Sequence, residues 1–463
     1  MKKLLFLFAL LNSIVAFSQD ITGKWNGLLN VQGSKINLIF TISKTDTGYS
    51  ATMDSPDQGA KDIPISKVSF ENAKKLTLEI PMAGISYTAE LNSSNIFIGN
   101  FNQAGTSFPM NLSRDVIKIN RPQEPKAPFS YYSENITFQN KKENFTLAGT
   151  LTLPKKEGKF PVVILITGSG AQNRDSELLG HKPFLLIADY LTKNGIGVLR
   201  YDDRGVAESK GDRTNATSKD FSEDVLAAVE YLKTRKDVNL KKIGLIGHSE
   251  GGTIAPMVAA NSKDISYIVL LAGTGIPGDE LLKQQTYLIG KASGMSEADL
   301  ETAQKLNAEI YQIIKSETDP KIAKEKLSPI LESQFNALPE AQRPPADQVK
   351  LIVAQQVNEV ASPWMQYFLN YDPRLILKDV KCPVLILNGE KDLQVPAQAN
   401  TEAIKNALQK AGNKNVTVTV FPGLNHLFQE CETGSFEEYE KIEQTFSPVA
   451  LQSISSWISQ QTK

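Results

Sequence analysis

Lys242-Ile243-Gly244-Leu245-Ile246-Gly247-His248-Ser249-Glu250-Gly251-Gly252 reads as a buried strand that breaks abruptly into a helix, with a serine at the break. The apolar run Ile243 to Ile246 supplies the strand. Gly247, Gly251 and Gly252 remove side chains where a sharp strand-to-helix turn would clash. Gly247-His248-Ser249-Glu250-Gly251 fits G-x-S-x-G, the nucleophile elbow. Such a turn lifts the Ser249 hydroxyl above a sheet and aims backbone N–H groups of the next helix, Thr253 to Asn261, at a developing oxyanion. A bare G-x-S-x-G is weak, because small residues cluster by chance, and the competing reading is an ordinary tight turn. The strand before it and the helix after it favour the elbow.

Outward from this stretch, strand and helix patterns alternate. Val162 to Ile166 is a continuous apolar run, as a parallel strand covered on both faces requires. Gly197 to Tyr201, Tyr267 to Leu271, Pro383 to Leu387 and Val416 to Phe421 are further strands, and Ile136 to Phe138 pairs with Phe145 to Leu153. Pro183 to Asn194, Phe221 to Thr234 and Pro448 to Ser459 are helices. Between Gly273 and Lys381 the pattern is only helical: Asp279 to Ala292, Glu297 to Ser316, Pro320 to Asn336 and Ala346 to Asn358. An insertion of that kind between two core strands predicts a cap that shapes a substrate pocket. Its aromatic run Ser362-Pro363-Trp364-Met365-Gln366-Tyr367-Phe368 either lines an apolar pocket or packs the cap on the core. Residues 20–114 instead carry about eight short alternating runs separated by turn residues, which predicts a small barrel or sandwich. Arg114 to Ser130, with Arg121-Pro122-Gln123-Glu124-Pro125-Lys126-Ala127-Pro128, reads as a semi-rigid linker. The expected class is therefore α/β: a mostly parallel sheet with a helical cap insertion, preceded by a small all-β, barrel-like domain.

The chain has 463 residues, 41% of them hydrophobic, and 50 basic against 51 acidic side chains for a formal charge of −1. That balance gives no electrostatic case for nucleic acid or an anionic membrane. Met1-Lys2-Lys3, the apolar run Leu4 to Phe17 and the small residues near Ala16-Phe17-Ser18 predict a signal peptide over residues 1–18, cleaved near Ser18 or Gln19. An uncleaved N-terminal anchor is the alternative. The mature protein is expected to be periplasmic or secreted, without a stable membrane anchor. Cys382 and Cys431 are the only cysteines, and their places in the strand order predict two free thiols.

A serine alcohol needs a general base, and the base needs an orienting carboxylate. Only His181, His248 and His426 are available. His248 precedes the serine and is expected to project away from it. His426, in Pro422-Gly423-Leu424-Asn425-His426 after the last strand, fits the chain order Ser, acid, His. Asp392, beyond the strand ending at Leu387, is the leading acid. Glu390 is the nearer rival, and Asp279 lies too far past its strand. The oxyanion donors are expected to be the backbone amides of Glu250 and of Ser169, with Gly170 the alternate, in Thr167-Gly168-Ser169-Gly170-Ala171. That loop lacks the Lys-Ser/Thr of a phosphate cradle and the third glycine of a dinucleotide fingerprint. No metal-ligand spacing is visible, so neither metal nor cofactor is expected.

Gly247-His248-Ser249-Glu250-Gly251-Gly252, Asp392 and His426, together with Gly168 to Asp175 and Tyr201-Asp202-Asp203-Arg204-Gly205, resemble bacterial esterases of the EstD type within the α/β-hydrolases. These are related to the serine aminopeptidase-like hydrolases. The resemblance covers about residues 131–463, with the cap over about 275–380. It implies a capped α/β-hydrolase fold, carboxylic ester hydrolysis and a triad of Ser249, Asp392 and His426. Thr167 stands where many α/β-hydrolases start this loop with His-Gly. Asp202, Asp203 and Arg204 are expected to brace the loops as an ion-pair network.

The expected reaction is a two-step acyl transfer on a small-molecule ester, failing as pH drops through about 6 to 7 because the histidine base must be neutral. A serine peptidase acting on short peptides is the alternative. A non-catalytic binding protein that uses the β-domain is a third reading, against which the complete triad speaks.

Overall fold

The computed structural model describes residues 20–31, 34–56, 60–103, 105–115, 120–340 and 343–463. The expected signal peptide lies outside the described residues. The chain divides into two compact units, one comprising most residues up to Ile117 and the other Lys118–Lys463.

The first unit is an antiparallel meander of β1 (Gly23–Val31), β2 (Ser34–Thr45), β3 (Gly48–Ser55), β4 (Ala60–Pro64), β5 (Lys67–Glu71), β6 (Lys75–Ile80), β7 (Ile85–Leu91), β8 (Phe97–Gln103) and β9 (Thr106–Ser113). The sheet order is β4-β3-β2-β1-β9-β8-β7-β6-β5. Its edge strands, β4 and β5, are joined by Ile65 and Ser66 alone, so the sheet must curl until its edges meet. The run Ile63 to Phe70, one strand by its pattern, is split at this corner. The Ile65 amide bonds back to Ala51 of β3 while the Ser66 amide reaches Glu79 of β6. Alternate residues point inward, and the interior is filled by Trp25, Phe40, Tyr87, Phe97 and Phe101, all nearly fully buried. The Trp25 indole N–H donates to the Ile21 carbonyl at 2.8 Å, and the Arg114 guanidinium lies 3.8 Å over its ring.

The second unit holds β10 (Tyr132–Asn140), β11 (Phe145–Leu153), β12 (Phe160–Ile166), α1 (Pro183–Lys193), β13 (Gly197–Tyr201), α2 (Ser218–Lys233), β14 (Val238–His248), α3 (Glu250–Asn261) and β15 (Ile265–Leu271). After these come α4 (Gly278–Ala292), α5 (Glu297–Ser316), α6 (Pro320–Ala337), α7 (Ala346–Val360), α8 (Pro363–Asn370) and α9 (Arg374–Leu377). The chain closes with β16 (Val384–Gly389), α10 (Ala397–Lys410), β17 (Val416–Phe421), α11 (Phe436–Tyr439) and α12 (Pro448–Gln461). The sheet order is β10-β11-β13-β12-β14-β15-β16-β17. β10 and β11 run antiparallel, as do β11 and β13; β13 through β17 pair parallel.

Period-two alternation sends successive side chains to opposite faces. Val162, Ile164, Ile243, Leu245, Ile268 and Leu270 face one core, shared with α2, α3 and α10. Val163, Leu165, Ile246, Val269 and Leu271 face the other, under α1 and α12. Burial on both faces is why these strands read as unbroken apolar runs. The helices α4 to α8, inserted between β15 and β16, close their own small core around Ile310, Leu327, Leu331, Val353 and Leu369.

The proline-rich stretch expected to be a linker is docked on this second unit from Arg121 onward. The buried Arg121 guanidinium donates to the carbonyls of Leu179 at 2.8 Å, Glu440 at 3.0 Å and Ile442 at 3.3 Å. Gln123 accepts from the Thr445 and Phe446 amides and donates to the Phe446 carbonyl. Side-chain bonds to loop backbone, which composition does not reveal, hold it in place. Cys382 and Cys431 are both free thiols. Among the described residues no helix is long and apolar enough to cross a membrane.

Candidate active site

Because β12, β14, β15, β16 and β17 are parallel, the loops after them emerge at one end of the sheet, where ligands bind in open α/β folds. Ser249 follows β14 with φ 54° and ψ −115°, a conformation that costs a non-glycine residue about 1–3 kcal/mol and persists only where the surroundings impose it. Here they do. The Ser249 amide is held by the Leu271 carbonyl at 2.9 Å. A Cβ on Gly247 would lie 2.0 Å from the Gly251 carbonyl oxygen, and one on Gly251 would lie 2.2 Å from that of Ile166. Backbone against backbone cannot yield, so glycine is required at both positions. Glu250 opens α3, and its N–H is one of the helix's unpaired donors.

His426 and Asp392 meet as expected: Nδ1 lies 2.8 Å from Asp392 Oδ2. The Asp392 side chain is completely buried, and its Oδ1 accepts from the Gln394 and Val395 amides at 2.8 Å each. A carboxylate only accepts, so the proton sits on Nδ1 and Nε2 is left as the basic nitrogen. The rival Glu390 turns away and accepts from the Gly423 amide at 3.1 Å. Asp279 pairs with Lys315 in the helical insertion. Ser249, His426, His248, Gly168, Ser169, Gln172, Leu427 and Phe436 line a cavity of about 100 Å³, closed further by Ser176, His181, Gln394 and Thr445. Gly168 and Ser169 reach this lining; Gly170 does not.

His248 departs from expectation. It does not project away from the site. Its Nε2 lies 3.0 Å from the His426 carbonyl oxygen, and the two rings sit 4.8 Å apart. The strand-to-helix turn rotates it over the loop after β17. Burial, with the His426 ring beside it, pushes the His248 imidazole down to about 3, so it stays neutral and acts as a strut.

The loop after β12 is tied down from below. The Asp203 carboxylate accepts from the Thr167 hydroxyl at 2.6 Å, the Gln172 amide at 3.1 Å and Arg213 at 3.3 Å, while Arg213 also donates to the Gly170 carbonyl. Burial pushes the Asp203 carboxyl up to about 7. Asp202 is engaged by Arg174, and Arg204 is shared between Asp224 and Glu143. His181, beside the cavity, is wedged between the Thr445 hydroxyl at 3.0 Å and the Tyr439 carbonyl at 2.9 Å. Burial and the nearby Arg121 charge push it down to about 4. Asp202, Asp203 and Arg204 thus form the expected ion-pair network. Which partners they take, and how His181 is seated, left no signal in the sequence, because these contacts join residues distant in the chain. Among the described residues no cluster of histidine, cysteine or carboxylate side chains could hold a metal ion.

Residues 161–433 match the family model described as the alpha/beta hydrolase fold. The chain belongs to that family. It is 31% identical over 306 residues to esterase EstD of Thermotoga maritima, a match covering 65% of this chain and 61% of that protein. It is 29% identical over 173 residues to the uncharacterized protein PA2218 of Pseudomonas aeruginosa, covering 36% of this chain and 43% of that one. Both matches thus span less than two thirds of the relative's length. Among solved structures, the Pyrococcus furiosus esterase Pf2001 aligns with a TM-score of 0.44 and 16% identity, over 75% of this chain and 100% of that one.

Proposed function

We propose that this protein hydrolyses carboxylic esters of small molecules through an acyl-enzyme on Ser249. One observation carries the reading: a buried Asp392–His426 pair at 2.8 Å opens onto the same cavity as a serine held at positive φ. In the first step His426 Nε2 takes the Ser249 proton as Oγ bonds to the ester carbonyl carbon. The oxyanion is received by the Ser169 and Glu250 amides. The tetrahedral intermediate collapses, the C–O bond to the alcohol breaks, and His426 returns the proton to the leaving alcohol. Water then repeats the attack, adding its oxygen to the acyl carbon and freeing the acid and Ser249. Asp392 holds the imidazole in the productive tautomer and stabilises its charged form.

The insertion α4 to α8 serves in this reading as a cap over the site, and residues 1–18 as an export signal. The similarity to EstD supports the ester as substrate. The test is turnover of p-nitrophenyl esters of rising chain length beside aminoacyl p-nitroanilides, with Ser249→Ala as control. Ester turnover that vanishes in the variant, without anilide turnover, is expected. Anilide turnover that depends on Ser249 would make the protein a peptidase, and ester turnover surviving in Ser249→Ala would remove the acyl-enzyme.

A further inference from the structure

Glu250 presents an oddity that its backbone role leaves unexplained. The residue, next in the chain to the nucleophile, is 4% exposed, with burial raising its carboxyl above the usual range. A buried carboxylate is costly unless hydrogen bonds replace its water. Two do. The Ser218 hydroxyl, at the start of α2, donates to Glu250 Oε1 at 2.6 Å. The indole N–H of Trp364, on α8 of the helical insertion, donates to the same oxygen at 2.7 Å.

The two donors differ in what they can report. Ser218 belongs to the body of the unit and is 2% exposed. Trp364 belongs to the insertion and is only half-buried. Its ring is held by stacking on Phe368, with centroids 5.2 Å apart and planes at 12°. The start of α8 is fixed by Ser362, whose hydroxyl accepts from the Met365 amide. The indole is thus a rigid arm from the insertion to the first turn of α3. That turn contains the Glu250 amide, and the torsions that aim this amide sit between a strained Ser249 and the anchored carboxylate.

We propose that Trp364 is a positioning residue for ester hydrolysis, fixing the oxyanion-binding amide of Glu250 through its hydrogen bond to the Glu250 carboxylate. The proposal rests on the acyl-enzyme reading above. It makes the seating of the insertion a condition of transition-state stabilisation as well as of substrate access. An oxyanion donor matters because charge on the carbonyl oxygen appears only in the transition state. A tilted amide therefore lowers kcat and leaves ground-state binding of a small ester unchanged.

The experiment uses the full chain and Trp364→Phe, which keeps the stacked ring and loses the N–H. With p-nitrophenyl acetate, kcat falls about tenfold, a fraction of the loss from deleting a donor outright, and KM holds. The inhibition constant of a small alkyl boronic acid, which forms a tetrahedral adduct on the serine, rises by the same factor. In a Glu250→Ala background, Trp364→Phe costs nothing further, because the arm has lost what it holds. A kcat within twofold of wild type, a rise in KM alone, or losses that multiply in the double variant would each overturn the proposal. Fluorophosphonate labelling of wild type separates the two failures. Labelled Ser249 with an unaffected Trp364→Phe sinks only this inference, whereas no label on Ser249 sinks the hydrolase reading with it.

Discussion

Asp392→Asn swaps one oxygen for an NH2 group in a site that dictates which way the amide faces. Asp392 Oδ1 accepts from two backbone amides, Gln394 and Val395, and only an oxygen can sit there. The asparagine NH2 is therefore forced into the Oδ2 position, 2.8 Å from His426 Nδ1. Two donors cannot face each other, so Nδ1 must give up its proton and become the acceptor. The proton then resides on Nε2, the nitrogen that has to take the Ser249 proton. The variant folds with almost unchanged contacts yet holds its base in the wrong tautomer. A loss of about ten-thousand-fold in kcat/KM is expected, roughly 5.4 kcal/mol of transition-state stabilisation. The assay is p-nitrophenyl acetate hydrolysis between pH 7 and 8, with Glu390→Gln in parallel. Because the Glu390 carboxylate accepts from the Gly423 amide and does not take part in the Asp392–His426 pair, its variant should stay within a few-fold of wild type. Asp392→Asn retaining a tenth of the activity, or Glu390→Gln losing as much, would refute the tautomer argument.

Arg121→Ala leaves three loop carbonyls without their buried cationic donor. A loss of about 3 kcal/mol is expected, since each bond to a charged group contributes about 1.5–3 kcal/mol and the exposed carbonyls regain water; a thermal melt that does not move would contradict this. Gly251→Ala drives a methyl into the Ile166 carbonyl oxygen and should cost about 3 kcal/mol or prevent folding, read by denaturant unfolding and soluble yield. For pH, His181 is held down to about 4 against an ordinary value of 6.5. The unfolded chain therefore takes up its proton first, and the folded state loses stability as pH falls from 6.5 to 4. At about 1.36 kcal/mol per pKa unit this is roughly 3 kcal/mol. Asp203, raised to about 7, acts with the opposite sign over much of that window. The test is accordingly the difference in stability between wild type and His181→Gln as pH is lowered, and a difference independent of pH would refute the assignment.

The sequence by itself determined whatever is local or periodic. Five glycine-punctuated residues around Ser249 dictate the elbow, because only glycine fits where backbone would meet a Cβ. The unbroken apolar runs of β12, β14, β15 and β16 announce strands covered on both faces, and three histidines in the whole chain leave His426 as the base that follows the last strand. The acid was narrower but still legible, since Asp392 lies just past β16. What only the tertiary structure decided is how distant segments hold one another. His248 turns onto the His426 carbonyl because the loop after β17 folds across the elbow, and the pattern around Ser249 carries no information about that loop. Arg121 reads as linker because proline and charge dominate its neighbourhood, yet its guanidinium is buried against carbonyls more than 300 residues away along the chain. The split of β4 from β5 at Ile65 follows from the sheet curling onto its own edge. Trp364 and Glu250 meet across 114 positions. Hydrogen bonds between side chains and remote backbone leave no period in a sequence, because direction and distance, rather than residue type, determine whether they form.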